Sequence, residues 1–410
     1  MHILLVADGR SPNTHRWVQA VTAQGHRITL VSSFPCQPVP GVEADVIMPV
    51  AFGALAGRQG AAHTASTASP RPANPIRAAV RAFRAPFLAG RYLLGPLTLA
   101  WYGPRFRRFV QRVQPDLVHA LRIPYEGMLA AYTPPGVPMA VSIWGNDLTL
   151  HARGSAAMAR RTRGCLARAD ALLADAGRDI RLGRAWGFSA AKLSLVVPGS
   201  GGIDLAEIER TRLNARQGVY EAALETLPPD TPLVFNPRGF RTGSVRNDTF
   251  FQAIPLVLER RPGVAFACAA MAGQPEALRW LDQLNLHGKV ELLPLLPQAH
   301  VWRLFLRAQI SASISQHDGT PNSLLEAMAL GCFPIAGDIE SLREWITPGV
   351  NGLLVPPDSP TALAEAILLA LDSPALRQRA AAENARIIDQ RAEAGAVGQK
   401  IEALYQQLIA

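Results

Sequence analysis

Short apolar runs alternate with longer amphipathic stretches along the chain, a rhythm that predicts strand–helix–strand units and parallel sheets. In the first half, Ile3–Ala7, Arg27–Ser32, Leu117–Ala120, Met139–Ile143 and Ala171–Ala174 have the length and apolar character of buried strands. Residues His15–Gln24 read as the first helix, and Gly25 supplies its stop. The rhythm restarts in the second half, with strands predicted at Leu233–Asn236, Val264–Ala269, Val290–Leu293, Ile310–Ser313 and Phe333–Ala336. No sequence repeat links the halves, so any likeness between them is one of architecture. A boundary near Gly199–Asp204 divides the chain into domains 1–203 and 204–389. The closing segment Glu383–Ala410 reads as one long helical pattern, and its part from 390 to 410 is expected to pack back on the first domain. Residues 57–78, rich in Gly, Ala, Ser, Thr and Pro, read as a flexible loop.

Length and composition agree with this division. A chain of 410 residues, 49% of them hydrophobic, suits two α/β domains with a core each. Cys36, Cys165, Cys268 and Cys332 are scattered, with no spacing that suggests a disulfide framework or a zinc site, which fits a reducing cytoplasm. The start, Met1 to Asp8, meets an aspartate too early for a signal peptide. No run approaches the about 18 apolar residues that a transmembrane helix needs.

Charge adds one feature. The formal net charge is +9, and the segment from Val46 to Pro115 holds many arginines and no acidic residue. Within it, residues 77–114 mix those arginines with aromatic and leucine side chains, a composition suited to an anionic membrane surface or to a helix pair packed on the first sheet. Prolines at 86, 96 and 104 predict two or three short helices here rather than one. Nucleic acid is not an expected partner, because no reading module accompanies the charge.

The chemistry concentrates in Ser313-Ile-Ser-Gln-His-Asp-Gly-Thr-Pro-Asn-Ser-Leu-Leu-Glu-Ala-Met-Ala-Leu-Gly331. A strand ends, a Gly-Thr-Pro turn follows, and a helix starts near Asn322. The first N–H groups of such a helix suit a diphosphate. Asp318 precedes the turn and Glu326 lies about one helical turn inside, so both carboxylates can reach the same ligand. Ser323 to Glu326 also has the form of a capping box, and Asp318 alone could be a turn residue.

This stretch resembles the family-four retaining glycosyltransferases, whose hallmark is Glu-x7-Glu followed by Ala-Met-Ala and a glycine. Here the pair is Asp318 and Glu326, one methylene short at its first position, and the match continues through Pro334–Asp338, Glu344 and Gly349–Asp358. The resemblance implies a GT-B fold, two Rossmann-like parallel-sheet domains facing a cleft, and a role in cell-envelope glycan biosynthesis. It implies that Glu326 binds the ribose of a nucleotide-sugar donor and Asp318 the donor sugar. The backbone of Gly319, Thr320, Pro321, Asn322 and Ser323 would face the phosphates or the sugar. Arg238, in Val234-Phe-Asn-Pro-Arg-Gly-Phe-Arg241, matches the family's diphosphate-binding arginine. Arg246 is the choice for the second cation, with Arg241 its rival. UDP-sugar is the favoured donor and GDP-sugar the second choice.

The acceptor, a glycan, a lipid-linked group or a small molecule, is expected on the first domain. Its candidate contacts are Gly9, Ser11 and His15 after the first strand, with Trp144 and Asn146 later. His119 and Asp147, at the ends of two further strands, are candidates near the reacting sugar, and His119 could equally be a core histidine. No Gly-x-Gly-x-x-Gly indicates a dinucleotide. Retention by the family's front-face route needs no protein nucleophile, and no Asp-x-Asp in a metal-binding context appears, so neither metal nor cofactor is expected. Rival readings are a nucleotide-sugar epimerase, a phosphorylase or sucrose-synthase-like enzyme, and a degenerate nucleotide-sugar-binding subunit.

Overall fold

The computed structural model describes residues 1–55, 84–216, 230–241 and 243–410. Packing divides the chain into two units, Met1–Gly201 with Val397–Ala410, and Gly202–Ala396.

The first unit is built on a seven-stranded parallel sheet in the order β3-β2-β1-β4-β5-β6-β7. Its strands are β1 His2–Ala7, β2 Arg27–Ser32, β3 Ala44–Ile47, β4 Leu117–Ala120, β5 Met139–Ile143, β6 Ala171–Ala174 and β7 Leu193–Val196. The central strands are buried on both faces, as a parallel sheet covered by helices requires. One face packs Phe106, Val110, Met128 and Met158; the other packs Trp17, Val18, Val21 and the closing segment's Ile401 and Tyr405.

The second unit holds a six-stranded parallel sheet in the order β10-β9-β8-β11-β12-β13. Its strands are β8 Leu233–Asn236, β9 Ala265–Cys268, β10 Val290–Leu292, β11 Ile310–Ser313, β12 Phe333–Gly337 and β13 Leu353–Val355. Phe250, Phe251 and Phe266 fill one face; Phe235, Trp302 and Phe305 fill the other.

Each strand order reverses once, between β1 and β4 in the first sheet and between β8 and β11 in the second. Loops leaving the carboxyl ends of such a pair diverge to opposite faces of the sheet and leave a crevice where ligands bind.

Three differences from the sequence reading have physical causes. The first helix is Pro12–Thr22 rather than His15–Gln24, because Pro12 follows the extended cap residue Ser11 and starts the helix at its first turn. Arg84–Val113 is one continuous 30-residue helix despite Pro96 and Pro104. Pro96 has no N–H for the carbonyl of Tyr92, and the Ser155 hydroxyl donates to that carbonyl instead, at 2.7 Å. Residues 77–83 of that predicted stretch, and the loop predicted at 57–78, lie outside the described residues. The closing segment is two helices, Pro374–Ala392 and Ala394–Ile409, broken at Glu393, whose backbone is extended and whose carboxylate accepts the N–H groups of Gly395 and Ala396.

Candidate functional site

In the second unit, β8 and β11 are hydrogen-bonded neighbours, so the segments after them emerge side by side. Arg238 lies two residues beyond β8. Its backbone N–H donates to the Asn236 side chain at 3.0 Å, and Asn236 in turn donates to Asn247 at 3.1 Å. This buried chain fixes the loop and turns the guanidinium, only 9% exposed, towards β11, where it ion-pairs with Asp318. The Ser315 hydroxyl donates to the same carboxylate oxygen at 3.0 Å. Asp318 is anchored by its main chain too, its carbonyl accepting from Ser341 at 2.7 Å. The Trp345 indole N–H donates to Thr320 at 2.8 Å, which pins the Gly319–Pro321 turn.

That turn feeds the helix Asn322–Leu330, which ends on Gly331 at φ +79°. The left-handed conformation there suits a residue without Cβ. The cap residue is Pro321 and no side chain caps the helix, so the capping-box reading of Ser323–Glu326 is corrected: Ser323 already lies inside the helix. Glu326 instead accepts a hydrogen bond from Gln298 at 2.7 Å while 7% exposed. Arg246 precedes the helix Asn247–Arg260 and pairs with Asp248 at 2.9 Å. Its N–H donates to the carbonyl of Ile314 at 2.7 Å, so its backbone lies against the end of β11. Arg241 is exposed on the same loop. The structure thus gathers Arg238, Asp318 and the 319–323 turn at one switch point.

In the first unit, a cavity of about 180 Å³ opens at the β1/β4 switch point, with Asp8, Arg91, Arg122, Tyr125, Trp144 and His151 in its wall. Arg122 lies two residues beyond β4. Its guanidinium donates to Asp147 at 2.7 Å and stacks on Trp144, 5.0 Å from the ring centre. Burial alone would lower the pKa of Arg122, but the carboxylates of Asp147, Glu126 and Asp8 together outweigh it and the net shift is upward. Asp147 also accepts the N–H groups of Ile123 at 3.0 Å and Trp144 at 3.2 Å. It is completely buried, so its expected direct contact with a sugar is corrected: the group that lines the cavity is Arg122, which Asp147 holds in place.

His119 is corrected likewise. It is fully buried, with Nδ1 bonded to the Tyr405 hydroxyl at 2.6 Å and Nε2 to Ser142 at 2.9 Å, so neither ring nitrogen is left for a substrate. Burial pushes its pKa down to about 3. Of the other residues expected on the acceptor side, Ser11 and Trp144 line the cavity, whereas Gly9, His15 and Asn146 do not. Gly9 is a packing glycine, since a Cβ there would sit 2.6 Å from the Cys36 sulfur, and its carbonyl engages His15 at 2.8 Å. Arg91, Tyr92, Arg122, Tyr125, Glu126 and His151 were not singled out as site residues by sequence. Among the described residues no group of three or more His, Cys, Asp or Glu could hold a metal ion.

Two parallel α/β sheets, each with an arginine–aspartate pair at its switch point, define the class: a GT-B fold. Residues 9–199 match the glycosyl transferase 4-like domain and residues 247–387 match glycosyl transferases group 1; the chain belongs to the group 1 glycosyltransferases. Sucrose-phosphate synthase from Thermosynechococcus elongatus superposes with a TM-score of 0.70 at 15% identity, covering 100% of this chain and 99% of that one. HepE of Anabaena in complex with UDP-glucose superposes with a TM-score of 0.66 at 16% identity, covering 100% of both chains. An exopolysaccharide phosphotransferase of Streptomyces coelicolor is 33% identical over 217 residues, 49% of this chain. The match spans only 23% of that relative.

Proposed function

We propose that the chain is a retaining glycosyltransferase that moves a sugar from a nucleotide-sugar donor, a UDP-sugar before a GDP-sugar, to a glycan, lipid-linked or small-molecule acceptor. The observation that carries this reading is the meeting of Arg238, Asp318 and the start of the Asn322–Leu330 helix at the β8/β11 switch point. A guanidinium and the N–H groups of a helix start suit the diphosphate, whose negative charge grows as it leaves. Glu326, one turn inside the helix, suits the ribose hydroxyls. HepE, of the same fold, holds UDP and UDP-glucose in its solved complexes, which favours uridine here.

In the front-face route the glycosidic C–O bond to the diphosphate breaks while the acceptor oxygen bonds to the same face of the anomeric carbon. The acceptor's proton passes to a phosphate oxygen, so the protein supplies position and charge rather than a nucleophile. The reaction runs without metal or cofactor.

A peripheral membrane contact accompanies this reading. On the helix Arg84–Val113, Leu93, Leu94, Leu97 and Trp101 are 52–67% exposed, and Arg107, Arg108 and Arg112 are exposed beyond them. An apolar stripe flanked by arginines suits an anionic bilayer surface. Among the described residues no helix is long and apolar enough to cross a membrane.

The direct test is thermal stabilisation by UDP, GDP, ADP and CMP, with and without EDTA. Selective stabilisation by one nucleoside diphosphate, indifferent to EDTA and followed by sugar transfer from the matching donor, is the expected result. No stabilisation by any of them would overturn the donor site. Binding without turnover by the purified chain would favour the binding-subunit reading.

A further inference from the structure

The cavity of the first unit holds buried guanidinium donors that lack acceptors. Arg122 is satisfied by Asp147, and Asp8 in the same wall is held by Arg10 at 2.9 Å. Arg91 has no such partner: among the described residues it forms no ion pair, and its Nε is buried without a hydrogen bond. The Nε of Arg122 is buried and unbonded as well. The Arg91 side chain is held by rings instead, lying 5.2 Å from the centre of Tyr125 and 5.8 Å from that of Phe34, while the Tyr125 hydroxyl donates to its backbone carbonyl at 2.6 Å. Burial lowers the pKa of Arg91, and the positive charge of Arg122 lowers it further, although Tyr125 and Glu126 act the other way. A guanidinium nevertheless stays charged in proteins.

Two guanidinium groups therefore face one opening together with the Glu126 carboxylate, and each guanidinium keeps a buried N–H donor without an acceptor, which is costly. An entering oxyanion would supply the missing acceptors, and a guanidinium can grip it through paired N–H groups. The cavity, about 180 Å³, is far larger than the about 10–15 Å³ that one water requires, so a group of sugar size can accompany the anion. Tyr125 and Trp144 offer ring faces, and the Oε2 of Glu126, buried and without a partner, can meet a hydroxyl.

We propose that the acceptor of this enzyme is an acidic sugar, carrying a phosphate or carboxylate group that Arg91 and Arg122 hold in this cavity. The inference rests on the proposed function and adds the chemical class of the acceptor. It also gives Arg91 a role distinct from that of the exposed arginines on the same helix.

The test is calorimetric titration of the full chain with glucose 6-phosphate, glucuronate, glucose and inorganic phosphate, on wild type, Arg91→Gln and Arg91→Lys, with UDP as a control. At least one acidic sugar should bind wild type at least about tenfold more tightly than glucose, an affinity step of about 1.4 kcal/mol. It should weaken by a similar factor in Arg91→Gln, with Arg91→Lys between the two. Preference for glucose 6-phosphate assigns a phosphate, and preference for glucuronate a carboxylate. Acidic sugars binding no better than glucose, unchanged affinity in Arg91→Gln, or inorganic phosphate binding as tightly as glucose 6-phosphate would each overturn the assignment. UDP affinity unchanged in all three proteins shows that the variants are folded. If UDP binds and the acidic sugars do not, this inference alone fails; if UDP does not bind wild type, the proposed function fails with it.

Discussion

Asp147→Asn separates a positioning carboxylate from one that touches substrate. One oxygen of Asp147 accepts the N–H groups of Ile123 and Trp144, and the other accepts from Arg122 at 2.7 Å. An asparagine keeps the size and can leave its oxygen on the two backbone donors. Its NH2 then faces the guanidinium, and a charge-assisted bond becomes a donor–donor contact. Losing such a bond costs about 1.5–3 kcal/mol. Arg122 is 24% exposed, so water recovers part of this, and the cost stays below the about 3–5 kcal/mol of breaking a fully buried pair. A net loss of about 2 kcal/mol in a unit of about 200 residues lowers its melting temperature by about 4–8 °C. Differential scanning calorimetry reads this directly. Removing both partners, in Asp147→Leu with Arg122→Leu, should cost less than the sum of the single changes, because neither charge is then left alone. If Asp147→Asn melts within about 1 °C of wild type yet loses turnover, the carboxylate is a substrate contact and the positioning argument is wrong.

Three further outcomes follow from the same geometry. Glu326→Ala should weaken UDP binding at least tenfold, an effect of about 1.4 kcal/mol or more, and Gln298→Ala by less, since Gln298 acts through Glu326; equal UDP affinity in wild type and Glu326→Ala, measured by titration, would remove the carboxylate from the donor site. Stability should fall as pH drops below the ordinary histidine value of 6.5, because burial pulls His119 to about 3 and His151 to about 4. The unfolded chain then takes up protons that the folded protein refuses, at about 1.4 kcal/mol per pH unit for each histidine, a loss that ends near the folded values; urea melts from pH 7.5 to 4.5 should show the slope reduced in His119→Gln, and an unchanged slope would exclude His119 as its source. Leu97→Glu with Trp101→Glu should reduce co-sedimentation with anionic vesicles at low salt, and failure of the wild type to co-sediment would refute the membrane contact.

What the sequence reveals follows from where each element sits. The central strands are short apolar runs buried on both faces, and β2, β4, β5, β6, β8 and β11 stand at the positions their patterns predict. The strands without such a signal, β3, β7 and β13, all lie at sheet edges, where half or more of the side chains meet solvent and the apolar run dissolves. The long helix hides behind Pro96 because its remedy, the Ser155 hydroxyl, is far away in sequence.

The two switch points differ in legibility for the same reason. In the second unit the block from Ser313 to Gly331 is contiguous, so strand end, turn, helix start and both carboxylates can be read together. In the first unit the cavity draws on residues from Asp8 to His151, and no spacing connects them. Burial is the other hidden variable: Trp-Gly-Asn-Asp at a strand end suggests a ligand contact, yet Asp147 is closed off and Arg122 presents the charge. One local rule does join the two sites. Arg238 stands two residues beyond the end of β8, and Arg122 stands two residues beyond the end of β4. Each strand flanks a point where the order reverses, and each arginine pairs with an aspartate from the loop after a neighbouring strand, Asp318 after β11 and Asp147 after β5. Loops diverge at these points and leave room for a ligand, so a cation held there by a carboxylate is aimed before any anion arrives. The physical argument by which Arg238 is proposed as a diphosphate partner applies with equal force to Arg122, and Arg91 beside it adds a second guanidinium whose buried Nε has no acceptor among the described residues.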